Sequence, residues 1–116
     1  MKIGTDIVQI ERIRSMVDKY GVKFQQRFLG ESEIETSRKV ESLAGLWAAK
    51  EAIAKAFGCG IGSELAFHDI VIAKDKKGAP YFVLTPEAQK RHPVKTSSLS
   101  ISHDGGFAIA VAVIIL

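Results

Sequence analysis

The chain has 116 residues, 47% of them hydrophobic and 25% charged, with a formal net charge of +3. That length holds one core and not two, and the composition is that of a globular protein rather than a disordered one. The basic residues are scattered rather than interleaved with aromatics, which argues against nucleic acid, while a mild positive charge suits an anionic ligand or an acidic partner.

Residues 2–6 read as a short strand, with no charged-then-apolar leader before them. Ile10, Ile13, Met16, Val17 and Tyr20 recur at helical spacing, and Gly21 is placed to end that helix. A second helical piece carries Phe24, Phe28 and Leu29. Ser32-Glu-Ile-Glu35 fits a capping box, so a third short helix is expected to start there. Ser42 is the expected N-cap of a long helix that stops at Gly58. Gly58-Cys-Gly-Ile-Gly62 is then a flexible loop. It lacks the Gly-Lys-Ser/Thr ending of a phosphate-binding loop and follows a helix instead of preceding one. Its Cys59 is the only cysteine, which rules out an internal disulfide and a thiolate-rich zinc site.

Ile70 and Ile72 mark a strand, Asp75-Lys-Lys-Gly78 a turn, and Tyr81-Phe-Val-Leu84 a second strand. Thr85-Pro86-Glu87 supplies an N-cap, an N1 proline and an acidic first turn for a short helix. Residues 97–102 and 107–115 would pair as a hairpin around His103-Asp-Gly-Gly106. Phe107 to Leu116 is strongly apolar, yet ten residues suit a buried strand and fall short of a bilayer. The expectation is one α+β domain over residues 1–116, with helices packed on an antiparallel sheet, located in the cytoplasm and away from membranes.

Candidate chemistry centres on the long helix. Glu51 and Lys55 are spaced i,i+4 and share a face, amid Leu43, Ala44, Trp47, Ala54 and Phe57, which leave few other charges there. Asp6 ends the short apolar start. Two carboxylates from distant parts of a chain can converge on a hard cation such as magnesium, which takes oxygen ligands and shares its shell with substrate phosphates. The plainer alternative has Asp6 capping the following helix and Glu51 pairing with Lys50 or Lys55. Arg12, Arg14 and Lys19 lie on the polar side of the first helix, either as a docking face or as a solvated one. Trp47 and Phe57 read as core, and His68 and His92 have no partners that would make a site.

The ordered set Gly4-Thr-Asp-Ile-Val-Gln-Ile-Glu-Arg-Ile13, Leu43-Ala-Gly-Leu-Trp-Ala-Ala-Lys-Glu-Ala52, Lys55-Ala-Phe-Gly58, Phe67-His-Asp-Ile-Val71, Gly78-Ala-Pro80 and Ser100-Ile-Ser-His103 resembles the stand-alone bacterial holo-acyl-carrier-protein synthases, small 4'-phosphopantetheinyl transferases. The resemblance implies a magnesium-dependent enzyme of fatty acid biosynthesis. It would move the phosphopantetheine arm of coenzyme A to a serine of an acidic apo acyl carrier protein, releasing adenosine 3',5'-bisphosphate. It further implies a homotrimer with each active site built across a subunit interface. Asp6 and Glu51 would be the metal ligands and, with Lys55, the catalytic set. Lys55, Gly58, Pro80 and His103 would contact coenzyme A, and Arg12, with Arg14 and Lys19, would meet the carrier protein. Glu51, Asp6 or a metal-bound water could each take the serine proton.

Two positions depart from the family pattern. Leu46 stands where these enzymes usually carry an arginine suited to a coenzyme A phosphate, and leucine cannot imitate that bidentate donor. Arg38 or Lys39 could compensate. Cys59 replaces a common threonine, a smaller change. The departure at Leu46 keeps open a catalytically weakened relative that still binds coenzyme A; a non-enzymatic carrier-protein-binding module and some other magnesium-dependent phosphoryl enzyme are the further alternatives.

Overall fold

The computed structural model describes residues 1–116, and the placement of one helix arranges most of them. The elements run β1 (Lys2–Gln9), α1 (Ile10–Tyr20), α2 (Val22–Phe28), α3 (Glu31–Thr36), α4 (Val40–Ala56), a 3-10 turn (Phe67–Asp69), β2 (Ile70–Lys74), β3 (Pro80–Leu84), α5 (Pro86–Arg91), β4 (Thr96–Asp104) and β5 (Phe107–Ile115). β1, β5 and β4 form an antiparallel sheet in that order, and β2 pairs with β3 in a separate ribbon. The architecture is α+β, as expected.

α4 lies across one face of the three-stranded sheet. Alternation along β5 turns Ala108, Ala110, Ala112 and Ile114 to the buried side, and α4 answers with Ala48, Ala49, Ala52 and Ala56. Small side chains on both surfaces let helix and sheet approach closely. The approach is tightest at Gly4, where an added Cβ would collide with the Ala52 carbonyl oxygen and lie 2.5 Å from the Ala56 nitrogen. Both obstacles are backbone and cannot rotate away. Gly4→Ala is therefore expected to cost about 1–3 kcal/mol by overpacking, read as a lower thermal midpoint. It should also lower activity, because Asp6 sits two residues along on the same side of β1.

Several local boundaries differ from expectation. β1 runs on to Gln9 rather than ending at Asp6, because Val8 is buried and pairs in register with Ala108. Asp6 thus lies mid-strand and does not cap α1, whose N-cap is Gln9 with no side-chain bond. Ser32 does not cap α3. The helix starts at Glu31 behind Gly30, and Glu33 is the N3 residue that accepts the Gly30 N–H at 2.8 Å. Ser42 does not cap α4 either: Lys39 is the N-cap, and the partly buried Val40 draws the helix start forward. Thr85 caps α5 as expected, accepting the Ala88 N–H at 3.4 Å.

The β4–β5 hairpin is tighter than the sequence suggests. His103 and Asp104 are strand residues paired with Ala108 and Phe107. Only Gly105 (φ 58) and Gly106 (φ 86) turn the chain, and positive φ at both is the hairpin geometry whose twist suits flanking strands.

The other face of this sheet is bare. Ile3 (66% exposed), Ile7 (60%) and Ile109 (42%) stand on it beside Phe107 and Ile115. Register places Ile3 opposite Val113 and Ile7 opposite Ile109, which makes one continuous apolar surface.

Candidate active site

β1 and α4 bring Asp6, Glu51 and Lys55 together. The Gly4 contact fixes how closely the strand crosses the helix, and parity along β1 puts Gly4, Asp6 and Val8 on the side facing it. Lys55 Nζ donates to Asp6 Oδ1 at 3.0 Å, with the lysine half exposed and the aspartate largely covered. Glu51 takes part in none of the chain's four ion pairs. Burial, and then the nearby Asp6 charge, push its carboxyl above the ordinary glutamate value, while Lys55 and Arg12 pull it part-way back. Two carboxylates that repel one another, one of them without a cation of its own, form a donor set for a further positive ion. Their all-oxygen chemistry fits magnesium, with the rest of its shell left to phosphate and water.

Lys50 does not pair with Glu51. It is buried and bonded to Glu33 at 2.9 Å on another face of α4. Trp47 packs into an aromatic group with Phe24, Phe28 and Phe67, as a core residue should. Arg12 lies over its ring at 6.0 Å, which brings that guanidinium to the edge of the carboxylate site.

The residues expected to contact coenzyme A divide between two places. Lys55 stands with the carboxylates, and Gly58 (φ 86) follows α4, donating its N–H to Lys55 O in the turn that ends the helix. Pro80 and His103 instead line a pocket of about 240 Å³ with Leu46, Gly78 and Lys74. That pocket adjoins a cleft of about 360 Å³ between α3 and β2 that shares Leu46, Lys74, Pro80 and Ile101. Leu46 and Ile101 give the two an apolar floor, Lys74 gives them a cation, and the His103 imidazole lines the smaller pocket. Leu46 and Glu51 are five residues apart, about 140° around a helix of 3.6 residues per turn, so carboxylates and cleft occupy different faces of α4.

The three basic residues of α1 separate as well. Arg12 sits by Glu51, Arg14 pairs with Glu11 at 3.3 Å beside the hollow that holds Lys39 and His103, and Lys19 lies 5.3 Å over the Tyr20 ring. Sequence reasoning missed Lys74 and Ser37 in the cleft. Lys74 could have been found: it ends a strand beside the Asp75–Gly78 turn, next to the Gly78-Ala-Pro80 segment already singled out.

A profile of the 4'-phosphopantetheinyl transferase superfamily matches residues 2–112. The chain belongs to that superfamily. Among 4'-phosphopantetheinyl transferases, the holo-acyl-carrier-protein synthase of Sulfurovum sp. is 66% identical to it over 114 residues, spanning 98% of this chain and 96% of that protein. The crystal structure of the Helicobacter pylori holo-acyl-carrier-protein synthase in complex with coenzyme A is similar at a TM-score of 0.94 and 48% identity, over 97% of this chain and 99% of that one. The Bacillus anthracis synthase, in complex with CoA (3',5'-ADP), is similar at a TM-score of 0.82 and 39% identity, over 97% of this chain and 94% of that one.

Proposed function

We propose that this chain is a holo-acyl-carrier-protein synthase acting as one domain over residues 1–116. It transfers 4'-phosphopantetheine from coenzyme A to a serine of an acidic apo acyl carrier protein for fatty acid synthesis. The observation that carries this reading is the convergence of Asp6, Glu51 and Lys55 at the crossing of β1 and α4. No helix is long and apolar enough to cross a membrane, and we place the reaction in the cytoplasm, where coenzyme A and the carrier would meet it.

The serine oxygen forms a bond to the β-phosphorus and gives its proton to a carboxylate of the site, Glu51 or Asp6, while the pyrophosphate bridge breaks and adenosine 3',5'-bisphosphate leaves with the bridging electrons. In such a transfer the protein chiefly positions groups and neutralises charge. Asp6 and Glu51 would hold magnesium, which when bound would polarise pyrophosphate oxygens. Lys55 offers a second cation one turn beyond Glu51, able to leave Asp6 for a phosphate oxygen. Arg12 is half of the approach surface for the carrier protein, with Lys19 seven residues on along the same side of α1; Arg14 faces the His103 hollow and suits a phosphate there. The cleft of Pro80, His103 and Lys74 would take the nucleotide end of coenzyme A.

Because carboxylates and cleft lie on different faces of α4, we infer that a complete site needs the carboxylates of one copy and the cleft of another. The bare apolar sheet face is the surface on which copies would assemble, as a homotrimer in keeping with the family resemblance.

Metal affinity should depend on pH with a definite sign. Protonated Glu51 is no ligand, and its pKa is raised, so affinity should fall as pH drops, beginning above the usual glutamate range near ~4.3. Manganese titrations followed by paramagnetic resonance should show about tenfold weaker binding per pH unit below that pKa, as one competing proton requires.

The reading is tested by incubating the protein with apo acyl carrier protein, coenzyme A and magnesium, then weighing the carrier. A gain of one phosphopantetheine group that chelator abolishes is the expected result. No gain with several carriers would overturn it. Coenzyme A affinity would then separate a Leu46-weakened relative, which should bind, from a carrier-binding module, which should not.

A further inference from the structure

Lys50 and Glu33 are the buried charges that the proposed reaction leaves without a role, exposed by only 0% and 2%. Lys50 Nζ donates to Phe28 O at 2.7 Å, Glu33 Oε1 at 2.9 Å and Phe67 O at 3.1 Å. Three acceptors use all three ammonium protons, so the group is charged although burial pushes its pKa down. Glu33 Oε1 also accepts Gly30 N–H at 2.8 Å, and its Oε2 accepts Ile72 N–H at 2.9 Å. Five bonds therefore tie α4 to the end of α2, the start of α3, the 3-10 turn and the middle of β2.

Two of those elements are the walls of the cleft. α3 and the residues after it contribute Ser32, Thr36 and Ser37, and β2 contributes Ile72 and Lys74. β2 pairs only with β3, and a two-stranded ribbon is marginal on its own. The Glu33 carboxylate holds the open edge of that ribbon where a third strand would otherwise bond.

We propose that Glu33, locked by Lys50, is a positioning residue for coenzyme A: it sets the separation of α3 from β2 and so governs affinity for the nucleotide. This rests on the reading that the cleft takes coenzyme A. The pair touches no reacting atom, so its effect belongs in binding and not in turnover.

Glu33→Gln is the sharpest probe. The amide oxygen can still accept from Gly30 and Lys50, but the amide NH₂ then faces the Ile72 N–H, so the tether to β2 is lost together with the charge that balances Lys50. We expect KM for coenzyme A to rise about 10-fold, the equivalent of one hydrogen bond to a charged group, with most of the change in kcat/KM carried by KM and the carrier-protein KM unmoved. Adenosine 3',5'-bisphosphate binding, read by calorimetry, should weaken by the same factor. Equal binding by variant and wild type, or a fall in kcat at constant KM, would overturn the positioning role alone. Failure of the wild type to bind the nucleotide would overturn the cleft assignment and this inference with it.

Should the variant not fold, the wild type still decides. Binding coupled to a tether must stabilise that tether reciprocally. Saturating adenosine 3',5'-bisphosphate should slow amide exchange at Gly30 and Ile72 at least about 10-fold, and unchanged exchange there would overturn the inference.

Discussion

Glu51→Gln is expected to lower turnover at least about 100-fold, the loss of roughly 3 kcal/mol of charge stabilisation, without lowering thermal stability. The two effects separate because the carboxylate is held against its own preference. Burial and Asp6 both disfavour its charge, and it has no ion-pair partner to lose. Removing that charge relieves repulsion in the folded state, so the melting temperature should stay level or rise, as when a functional carboxylate is retained at a cost in stability. A glutamate that merely braced the helix would behave in the opposite way. Lys55→Met supplies the contrast. It should also depress turnover, but manganese should bind more tightly, since Asp6 Oδ1 then loses the ammonium now 3.0 Å away. Full activity and unchanged magnesium dependence in Glu51→Gln would sink the metal assignment.

The same groups show where sequence reasoning reached and where it stopped. Helical spacing put Glu51 and Lys55 on one face, and the structure has them there. Spacing within a helix says nothing about which strand crosses it, so the Lys55–Asp6 pair, 49 residues apart, needed coordinates. Two capping residues were misassigned for a related reason. Ser32 and Ser42 have the right side chains for caps, but Glu33 is captured by Lys50 and Val40 by the core, and tertiary contacts moved both helix starts. Lys50 was legible only as a neighbour of Glu51, because nothing local marks a lysine whose three acceptors come from residues 17 to 22 positions away. The apolar alternation of β5 was legible as a strand. That its odd positions would stay uncovered was not, because nothing within the strand says which of its two faces α4 will shield.

That uncovered face leads to the second large effect. Ile109→Asp should leave a folded monomer with activity reduced at least about 100-fold. Within one chain Ile109 is 42% exposed, and a surface substitution of that kind changes stability by about 0.5 kcal/mol or less. In an assembly built on this face, the same change would place carboxylates inside an apolar interface, where an unpaired charge is not tolerated. Sedimentation should therefore show the variant as one chain and the wild type as three. Loss of activity is expected on the proposal that the site is shared: carboxylates and cleft lie on different faces of α4, and a lone copy would then lack the second half of its site. Mixing variants checks this with the interface residues left intact. Glu51→Gln removes a proposed metal ligand and Lys74→Glu reverses the charge of the cleft lysine, so each should be nearly inactive by itself. If a site draws its carboxylates from one copy and its cleft from the next, reassembly of equal amounts restores sites whenever an intact carboxylate pair meets an intact cleft. The chance is one half times one half, about a quarter of wild-type activity. Sites contained within single chains would give no recovery at all, and wild-type activity in the Ile109→Asp monomer would contradict the shared site directly.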